Sequence, residues 1–522
     1  MRKKTWRKQH KWLGIGVCFF MLMFCLSGII LNHRQRVTDV NVSRGWLPSR
    51  YEFQKWNGGL LRGTVALCLE DCHGIGLPNK DSCSAVLVYG NGGIWLTDFH
   101  ASFFHDLNAG LPQGADYRQV RSVVKVGGEQ CPVSLFALSP FALYRMGNHA
   151  TWQRVNIPLE EDERLTDMTC HGDTLVVLSR SYAYLALPPY CEYSRIQLPA
   201  SSHVDGKVTA FRTVWLLHTG ELFGKTGKFV VDAIAVILMV LCLTGIVFWL
   251  LPKYVKRRKN RGLTPAKWST FMMRLSLSWH DKVGRCTIVL TLFICITGWC
   301  LRPPVMIPLV LSKVPAIPGT ATASSNPWND KLRMIRYDEA CQDWLLSTSE
   351  GFFAIKNLPR LPHTSACHTQ AKLIAIPLAP PVSVMGLNVW QQDDKGNWLC
   401  GSFSGLFVWN RQQATVVDYF TGKPAPKTSG APFGKKAISG YSDDFQLPSK
   451  EQEAVVAEYY EGTDALPQPL WMNHLPMSLW TVALEVHSGR IFIGSIATYV
   501  FIFFMGILAI WCLWSGYVIR RN

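Results

Sequence analysis

The sequence predicts a membrane protein with four transmembrane helices, arranged as two tandem duplicated halves that each contain a helix, a β-rich extracytoplasmic module and a second helix. Three observations predict this class: four long apolar stretches, basic residues concentrated beside them, and landmarks that recur about 270 residues apart. With 48% hydrophobic and 17% charged residues among 522, the chain has too much apolar surface to be mainly disordered.

Four stretches without Asp, Glu, Lys or Arg predict the membrane helices. They are residues 12–31, 233–251, 286–301 and 491–519, which contain 20, 19, 16 and 29 residues. A helix needs about 20 apolar residues to cross the hydrocarbon core. The third stretch is short, but Arg285 and Arg302 at its ends can extend to the headgroups; a buried soluble helix is its alternative. The first lacks a cleavage site after Ser27-Gly28 and is expected to be a retained anchor rather than a signal peptide.

Basic residues are concentrated in three segments beside these stretches. Residues 1–11 carry six Lys or Arg, residues 252–285 carry ten with Asp281 as the single acid, and the end adds Arg520 and Arg521. These segments account for the whole formal net charge of +17. Because Lys and Arg accumulate at the cytoplasmic ends of membrane helices, we expect both termini and the middle loop inside and the two long loops outside. The same distribution excludes a nucleic-acid-binding surface as the reason for the basic charge.

An internal duplication relates the two halves. His10 recurs as His280 and Ser27-Gly28 as Thr297-Gly298, each after 270 residues; His218 recurs as His487 after 269 residues, and Thr244-Gly245 as Ser515-Gly516 after 271. The halves have the same orientation, so we expect an axis of pseudosymmetry along the membrane normal. His33 has no counterpart, because Pro303 occupies the matching position.

The duplication and the apolar stretches together define seven segments. They are residues 1–31 (cytoplasmic start and first helix), 32–215 (first module), 216–251 (second helix), 252–283 (basic cytoplasmic loop), 284–302 (third helix), 303–485 (second module) and 486–522 (fourth helix and tail). Alternating apolar segments separated by polar turns, as in 165–178 and 388–409, predict antiparallel sheet in the modules. Their spacing also permits propeller-like blades, with a β-rich α+β module as the alternative.

Nine of the 16 cysteines lie in the modules, where disulfides are permitted outside the cytoplasm. Cys68, Cys72 and His73 resemble the haem-attachment motif C-x-x-C-H, but one extra residue separates the two cysteines. A metal site with Cys83, a disulfide and ordinary packing are the other interpretations. The role of this cluster and that of His33 stay open.

Four histidines are the candidate cofactor ligands. The duplication places His10 and His280 at the inner face of the membrane and His218 and His487 at the outer face. Imidazoles on facing helices are typical axial ligands of haem iron, and the small residues nearby would admit a flat macrocycle. Zinc is the competing metal, but it prefers a tetrahedral cluster over ligands divided between two faces. The gap between the pairs predicts an intermediate group such as Trp249, Trp299 or Trp511.

These landmarks resemble the PepSY-associated transmembrane helix family. The resemblance rests on four motifs and one turn: His10-Lys11-Trp12-Leu13-Gly14, His218-Thr219-Gly220-Glu221-Leu222-Phe223-Gly224, His280 with Gly284, the small pairs that end each helix, and Asp418-Tyr419-Phe420-Thr421-Gly422. Some members are haem-containing ferric-siderophore reductases of the Gram-negative inner membrane. The resemblance implies two haem b groups, one held by His218 and His487 and the other by His10 and His280.

The function expected from these features is a di-haem oxidoreductase of ferric-chelate reductase type, serving iron uptake from the bacterial inner membrane with its large loops in the periplasm. Its expected partners are membrane lipid, a quinol or separate cytoplasmic electron donor, and a ferric-siderophore substrate; the short cytoplasmic loop cannot form a nicotinamide-binding domain.

Two other functions remain open. A non-redox PepSY-type binding or sensory protein would be colourless. A transporter subunit would need polar groups in the membrane, for which Glu221 and Asp232 are the candidates, although either could instead orient a histidine. Substrate iron could contact histidines of the loops, which are more typical of surface or turn residues: His73, His100, His105, His363, His368 and His474.

Overall fold

The computed structural model describes residues 3–68, 85–128, 131–201, 206–264, 267–359, 372–382, 385–426, 436–447 and 454–521. The chain divides into two compact units. The helical unit comprises Met1–Val37, Asp205–Ser324 and Leu479–Asn522, and the sheet unit comprises Thr38–Val204 and Ser325–Ser478. The structure differs here from the two separate modules that we expected, because the long segments of both halves form one unit.

Helices make up most of the helical unit. They are α1 (Lys3–Asn32), α2 (Ala210–Thr219), α3 (Gly224–Asn260), α4 (Lys267–Cys286), α5 (Ile288–Cys300), α6 (Met306–Leu311), α7 (Leu479–His487) and α8 (Ser495–Arg521). A two-stranded pairing of β14 (Lys207–Thr209) with β15 (Lys313–Pro315) adjoins them. The middle segment 252–283, expected as a loop, is largely helical, because α3 continues to Asn260 and α4 begins at Lys267.

Three of these helices are long and apolar enough to cross a membrane: Lys4–Asn32, Glu221–Asn260 and Ala497–Ile519. A fourth crossing requires α4 and α5 together, which meet at a bend of 71°. The predicted third helix corresponds to α5, whose 13 residues reach only about 20 Å. The chain is therefore a multi-pass membrane protein with three spans, or four if the bent pair forms one.

Two threonine side chains lie at the bend between α4 and α5. The Thr287 hydroxyl donates to the Val283 carbonyl at 2.8 Å, and the Thr291 hydroxyl donates to the Thr287 carbonyl at 3.1 Å. Such bonds to the preceding turn bend helices. Val17 and Met21 occupy the matching positions of the first half, and α1 is one continuous helix there.

Apolar side chains from α1, α3, α5 and α8 fill the interior of the helical unit. Cys25 packs with Ile234, Leu238 and Ile294, and a neighbouring cluster contains Val17, Met505 and Ala509. Helix association in lipid depends on close packing rather than on burial from water. These contacts bring helices from both halves against one another.

Antiparallel sheets make up the sheet unit. The described strands outside the helical unit are β1 (Asn41–Val42), β2 (Gly63–Leu67), β3 (Ala85–Gly90), β4 (Gly93–Thr97), β5 (His105–Asp106), β6 (Ser122–Gly128), β7 (Cys131–Leu138), β8 (Leu143–Gly147), β9 (Thr151–Val155), β10 (Leu165–His171), β11 (Thr174–Ser179), β12 (Ala183–Ala186), β13 (Ser194–Ile196), β16 (Leu332–Asp338), β17 (Asp343–Thr348), β18 (Gly351–Ile355), β19 (Ile374–Ala375), β20 (Leu387–Gln392), β21 (Trp398–Ser402), β22 (Gly405–Asn410), β23 (Thr415–Asp418), β24 (Ile438–Ser442), β25 (Val455–Glu458) and β26 (Met477–Ser478).

Five of the sheets have four strands in sequence order: β2–β5, β6–β9, β10–β13, β16–β19 and β20–β23. β24 pairs with β25, and β1 pairs with β26. The predicted antiparallel pairing of 165–178 and of 388–409 is confirmed. The β-rich prediction is therefore correct, whereas a propeller stays a prediction.

The first strands of successive sheets contact one another. β2 contacts β6, β6 contacts β10, β10 contacts β16, β16 contacts β20, β20 contacts β24, and β24 contacts β2. Apolar layers between the sheets include strands of both halves: Leu178 and Val176 pack with Leu346 and Trp344 in one cluster. This shared burial is the physical reason why the two long segments form one unit.

A glycine opens the third strand in three of the four-stranded sheets. Gly93, Gly351 and Gly405 have φ of +130°, +123° and +131°, a region that side chains with a Cβ rarely adopt. Each follows a tight connection from the second strand. These three sheets therefore share the same backbone geometry at the start of the third strand.

Candidate functional site

The four candidate histidines lie on four different helices. His10 is on α1 and His280 is on α4, whereas His218 and His487 stand at the C-terminal ends of α2 and α7. We expected the latter two at the start of continuous spans. Instead, Gly220 and Gly489, with φ of +81° and +77°, follow these short helices closely, and the spans begin beyond them. A left-handed glycine after the last turn is a common helix end.

The structure brings the four imidazoles together in two pairs. The ring centroids of His10 and His280, the first pair, are 6.0 Å apart with an interplanar angle of 62°. The ring centroids of His218 and His487, the second pair, are 6.1 Å apart at 45°. Each pair takes one histidine from each half of the duplication.

Backbone carbonyls fix the tautomer of the rings, and His218 also has a backbone hydrogen bond, with Ile294. Nδ1 of His10, His280 and His487 lies 3.0, 3.0 and 2.9 Å from the carbonyl oxygens of Cys512, Leu241 and Phe24. A carbonyl oxygen only accepts, so Nδ1 carries the proton and Nε2 has a free lone pair. That is the state in which a neutral imidazole binds a metal.

A serine or threonine hydroxyl contacts Nδ1 of every ring. Ser515, Thr244, Thr297 and Ser27 lie 3.2, 3.1, 3.1 and 3.1 Å from Nδ1 of His10, His280, His218 and His487, respectively. Each hydroxyl also donates to a carbonyl of its own helix, for example Ser27 to Met23 at 2.7 Å and Thr297 to Phe293 at 2.9 Å. The hydroxyl oxygen therefore accepts from the ring and holds its orientation.

A glycine follows each of these hydroxyl residues and lies against the ring. A Cβ at Gly28, Gly298 or Gly516 would lie 3.2, 2.8 or 2.8 Å from Cε1 of His487, His218 or His10. At Gly245 the corresponding distance to His280 is 3.4 Å. The two members of each small pair therefore have different roles, since the hydroxyl orients an imidazole and the glycine makes room for it.

The spacing of each pair suits two ligands on opposite sides of one metal ion. An imidazole nitrogen binds a transition metal at about 2.0–2.1 Å, and with the ring centre about 1.1 Å beyond it, two opposed ligands have centroids about 6.3 Å apart. The observed 6.0 and 6.1 Å agree with that spacing. By this spacing and by their available Nε2 atoms, the two imidazoles of each pair would be able to hold a macrocycle-bound iron. Within the described ranges, no group of three or more His, Cys, Asp or Glu side chains could hold a metal ion.

Asp232 and His33 form a polar contact of the first half. The Asp232 carboxylate accepts from His33 Nε2 at 2.6 Å and from the Asn32 amide at 3.0 Å, which ties α1 to α3. Asp232 therefore does orient a histidine, although none of the four candidates. Glu221 pairs with Lys228 at 3.2 Å.

The three candidate intermediate tryptophans have different surroundings. Trp299 donates to the Phe503 carbonyl at 3.1 Å and fills the space that Gly506 leaves open. Trp511 stacks on Trp6 with centroids 5.6 Å apart, and Lys253 lies 3.6 Å from the Trp249 ring. Their role as intermediates stays a prediction.

The loop histidines do not gather at one site within the described part of the chain. His100 Nδ1 contacts the Gln446 carbonyl at 2.7 Å, His105 lies in β5, and His474 ends a short 3-10 helix. His363 and His368 lie outside the described residues, as do Cys72, His73 and Cys83 of the cysteine cluster. Cys170, Cys191, Cys341 and Cys400 carry free thiols.

One further sequence signal marks the ring contacts. A cysteine precedes three of the small pairs in the same motif: Cys25-Leu26-Ser27-Gly28, Cys242-Leu243-Thr244-Gly245 and Cys295-Ile296-Thr297-Gly298. At the fourth, Cys512 precedes Ser515 by one residue more, and its sulfur lies 3.7 Å from His10 Nδ1. This motif, searched for alone, would have located three of the four ring contacts.

A further polar cluster, which was not predicted, lies on and beside the first strands of the sheet unit. Asp167 accepts from Arg336 at 2.6 Å and from the Ile335 amide at 2.9 Å, and Arg62 donates to Asn388 at 3.0 Å. Burial raises the pKa of the nearby Tyr89 and lowers the pKa of Arg62. The alternating pattern of the strands gave no sign of these inward-facing charges.

The PepSY-associated TM region family matches residues 143–521, well over half of the chain. This protein belongs to that family. The match includes three of the four histidines, and the PepSY-associated resemblance inferred from the motifs is thereby confirmed. No curated protein matches the sequence significantly.

Two solved structures are distantly similar to this PepSY-associated protein. The extracellular domain of a hybrid two-component system from B. thetaiotaomicron is 10% identical, with a TM-score of 0.27, over 70% of this chain and 35% of that one. The extracellular domain of a one-component system from the same organism is 10% identical, with a TM-score of 0.28, over 80% of this chain and 39% of that one. The chain thus spans well under half of either structure's length.

Proposed function

We propose that this protein is a di-haem membrane oxidoreductase that passes electrons across the membrane to an extracytoplasmic ferric complex. The proposal is supported by the two imidazole pairs, whose ring centroids are 6.0 and 6.1 Å apart. The Nδ1 atoms of these rings are bonded to carbonyl or hydroxyl oxygens. Two separate bis-imidazole sites would suit electron transfer, because haem held by imidazoles would supply one-electron chemistry.

His10 and His280 would hold one haem b, and His218 and His487 the other. A haem supplies one-electron chemistry, with a potential set by its ligands and surroundings. The protein would offer the Nε2 atoms of each pair to the iron and fix each ring through Nδ1. A glycine beside each ring leaves room for the imidazole, which a larger side chain there would crowd. Gly28 contacts His487 and lies 18 residues beyond His10 on α1, a rise of about 27 Å. The two sites would thus lie near opposite surfaces of the bilayer.

Four spans are the topology that suits this arrangement. The sheet unit contains segments from both halves, so both segments must lie on one side of the membrane. Among the candidate membrane helices, α3 and the bent α4–α5 pair lie between these segments, which favours a return crossing within the bent pair. The basic flanks favour a cytoplasmic location for both termini, with the sheet unit in the periplasm of a bacterial inner-membrane protein.

We further propose that the sheet unit is a six-bladed β-propeller. Support comes from the five four-stranded sheets, the sixth pair β24–β25, and the closed cycle of contacts among the first strands. Propeller blades typically place their first strands around a central axis. The Arg62, Asp167 and Arg336 cluster would then lie near that axis.

The acceptor most consistent with the family resemblance is a ferric siderophore. Reduction of the iron weakens its binding to hard oxygen ligands, so electron delivery would release the metal. The electrons would come from a quinol or a separate cytoplasmic donor. These assignments rest on the resemblance rather than on side chains of the described residues.

The visible spectrum of the full-length protein, purified in detergent, tests the proposal. We expect oxidised and reduced spectra of six-coordinate b-type haem. Substituting His105, an exposed histidine of the sheet unit outside both pairs, with alanine provides the control and should leave the spectrum unchanged. A colourless protein, purified from haem-sufficient cells, would reject the redox function and favour the non-redox binding or sensory alternative.

A further inference from the structure

Helix α4 presents two exposed stripes to its surroundings, one apolar and one basic. The apolar stripe repeats at helical spacing, and its aromatic members Trp268, Phe271 and Trp279 are 57%, 64% and 55% exposed. The complete apolar stripe is Trp268, Phe271, Met272, Leu275 and Trp279. A soluble protein seldom exposes such a row of large apolar residues, so this face requires a partner.

The third face of α4 packs against the protein. Ser269 and Ser276 are buried, and His280 continues the same row at helical spacing. The Trp268 ring lies 6.2 Å from the Tyr254 ring of α3. The apolar stripe lies beside this buried row, so α4 is anchored along one side and open along the other two.

Basic side chains border the apolar stripe on the side away from the protein. Lys267, Arg274, Lys282 and Arg285 recur on this side of α4, and only Asp281, which pairs with Arg285 at 2.9 Å, opposes them. The end of α3 adds further bases before the turn. This arrangement of a wide apolar stripe beside a basic one is typical of helices that lie in the plane of a membrane interface.

The bend gives α4 the orientation that such a helix needs. The axis of α4 departs from that of α5 by 71°. If α5 runs along the membrane normal, α4 lies close to the membrane plane, with its apolar stripe able to face the acyl chains and its bases able to face the headgroups. The matching part of α1 has no bend, so this feature belongs to the second half alone.

We infer that α4 is a binding site for anionic phospholipid, whose headgroups contact Lys267, Arg274 and Lys282 while acyl chains cover the apolar stripe. The favoured occupant is lipid rather than an acidic protein, because the apolar stripe and the bases run side by side along the helix. Placement in the inner leaflet rests on the topology proposed above; the binding itself does not. Because α4 also carries His280, bound lipid would help to hold the first pair in place.

Binding of phosphatidylglycerol to the full-length protein in detergent tests this inference. Native mass spectrometry counts the bound lipids during a titration, with phosphatidylcholine as the neutral comparison. The variant Lys267→Gln/Arg274→Gln/Lys282→Gln should bind phosphatidylglycerol on the order of 100-fold more weakly, since each surface base contributes about fivefold. Binding of phosphatidylcholine should be unchanged.

A matched variant removes three exposed bases from the sheet unit: Lys372→Gln/Lys395→Gln/Lys423→Gln. It loses the same formal charge and should retain the affinity of the unchanged protein. A second α4 variant, Phe271→Glu, places a charge in the apolar stripe and should also weaken binding. Equal affinity in the α4 triple variant and the unchanged protein would overturn the inference, as would an equal loss in the sheet-unit variant.

The outcome is independent of the haem proposal. A colourless protein that binds phosphatidylglycerol through α4 would reject the redox function and retain this site. A protein with two haems and no preference for anionic lipid would do the reverse.

Discussion

Gly298 and Gly245 occupy equivalent positions beside a histidine, but the two sites differ in the room that they leave. An added Cβ would lie 2.8 Å from the His218 ring at Gly298 and 3.4 Å from the His280 ring at Gly245. We therefore expect Gly298→Ala to displace His218 and reduce haem at the second pair, whereas Gly245→Ala should be nearly neutral. Haem content per polypeptide measures both variants. An equal loss in the two would show that crowding of the ring is not the cause.

Asp167 is a charged residue buried in the sheet unit. It is 1% exposed and pairs with Arg336, and its second carboxylate oxygen has no hydrogen-bond partner within the described residues. Asp167→Ala should lower the free energy of unfolding by roughly 3 kcal/mol, because it removes the buried carboxylate that pairs with Arg336, whose side chain is 21% exposed and still donates to two backbone carbonyls.

The control for Asp167 is the pair of Arg180 with Asp330, whose side chains are 34% and 29% exposed. Asp330→Asn, which removes the charge and suits the left-handed backbone at φ of +59°, should cost no more than about 1 kcal/mol, since water screens a partly exposed pair. Urea titration of the full-length protein in detergent compares the variants. Similar costs would contradict the role assigned to burial.

Helix α7 ends at His487, a member of the second pair. Gly489 has φ of +77°, and an added Cβ would also lie 2.7 Å from Ile502. We expect Gly489→Ala to destabilise the end of α7 by about 1 kcal/mol or more and to disturb His487.

Gly494 lies between α7 and α8, and an added Cβ would contact nothing there within 4 Å. Gly494→Ala therefore serves as the control and should leave stability and haem content unchanged. Thermal unfolding and haem content measure both variants. If Gly489→Ala behaves like Gly494→Ala, the helix end does not position the ring.

The sequence predicted the membrane helices better than it predicted their ends. Apolar length identified three spans and α5, because that signal accumulates over many residues. The bend at Thr287 coincides with two hydroxyl contacts, and the separate helices α2 and α7 each end near a single left-handed glycine. The glycines in His218-Thr219-Gly220 and His487-Ser488-Gly489 are the sequence signal for these two helix ends. They indicate a helix end because glycine readily adopts the left-handed conformation that follows a last helical turn.

For the molecule as a whole, the duplication was the informative signal. It grouped the histidines in the two pairs whose rings the structure brings within about 6 Å. It could not show that the long segments form one unit, because the duplication describes each half alone whereas the shared apolar layers join residues of both, such as Leu178 and Leu346. Nor could alternation alone reveal the buried Asp167 and Arg336.

All four ring contacts join one half of the chain to the other. His10 and His218 of the first half contact Gly516 and Gly298 of the second, and the reverse contacts have the same form. We therefore expect the co-expressed fragments 1–262 and 263–522 to copurify with haem, and neither fragment alone to hold it. A tag on one fragment measures recovery of the other. Stable haem in either fragment alone would contradict the shared sites.

The ratio of haem to polypeptide tests the central claim most directly. The unchanged protein should contain about two haems per chain, His487→Ala should contain about one, and His10→Ala/His487→Ala should contain none, since each substitution removes a ligand from a different pair. A ratio that does not change with these substitutions, in protein that remains folded, would contradict the account.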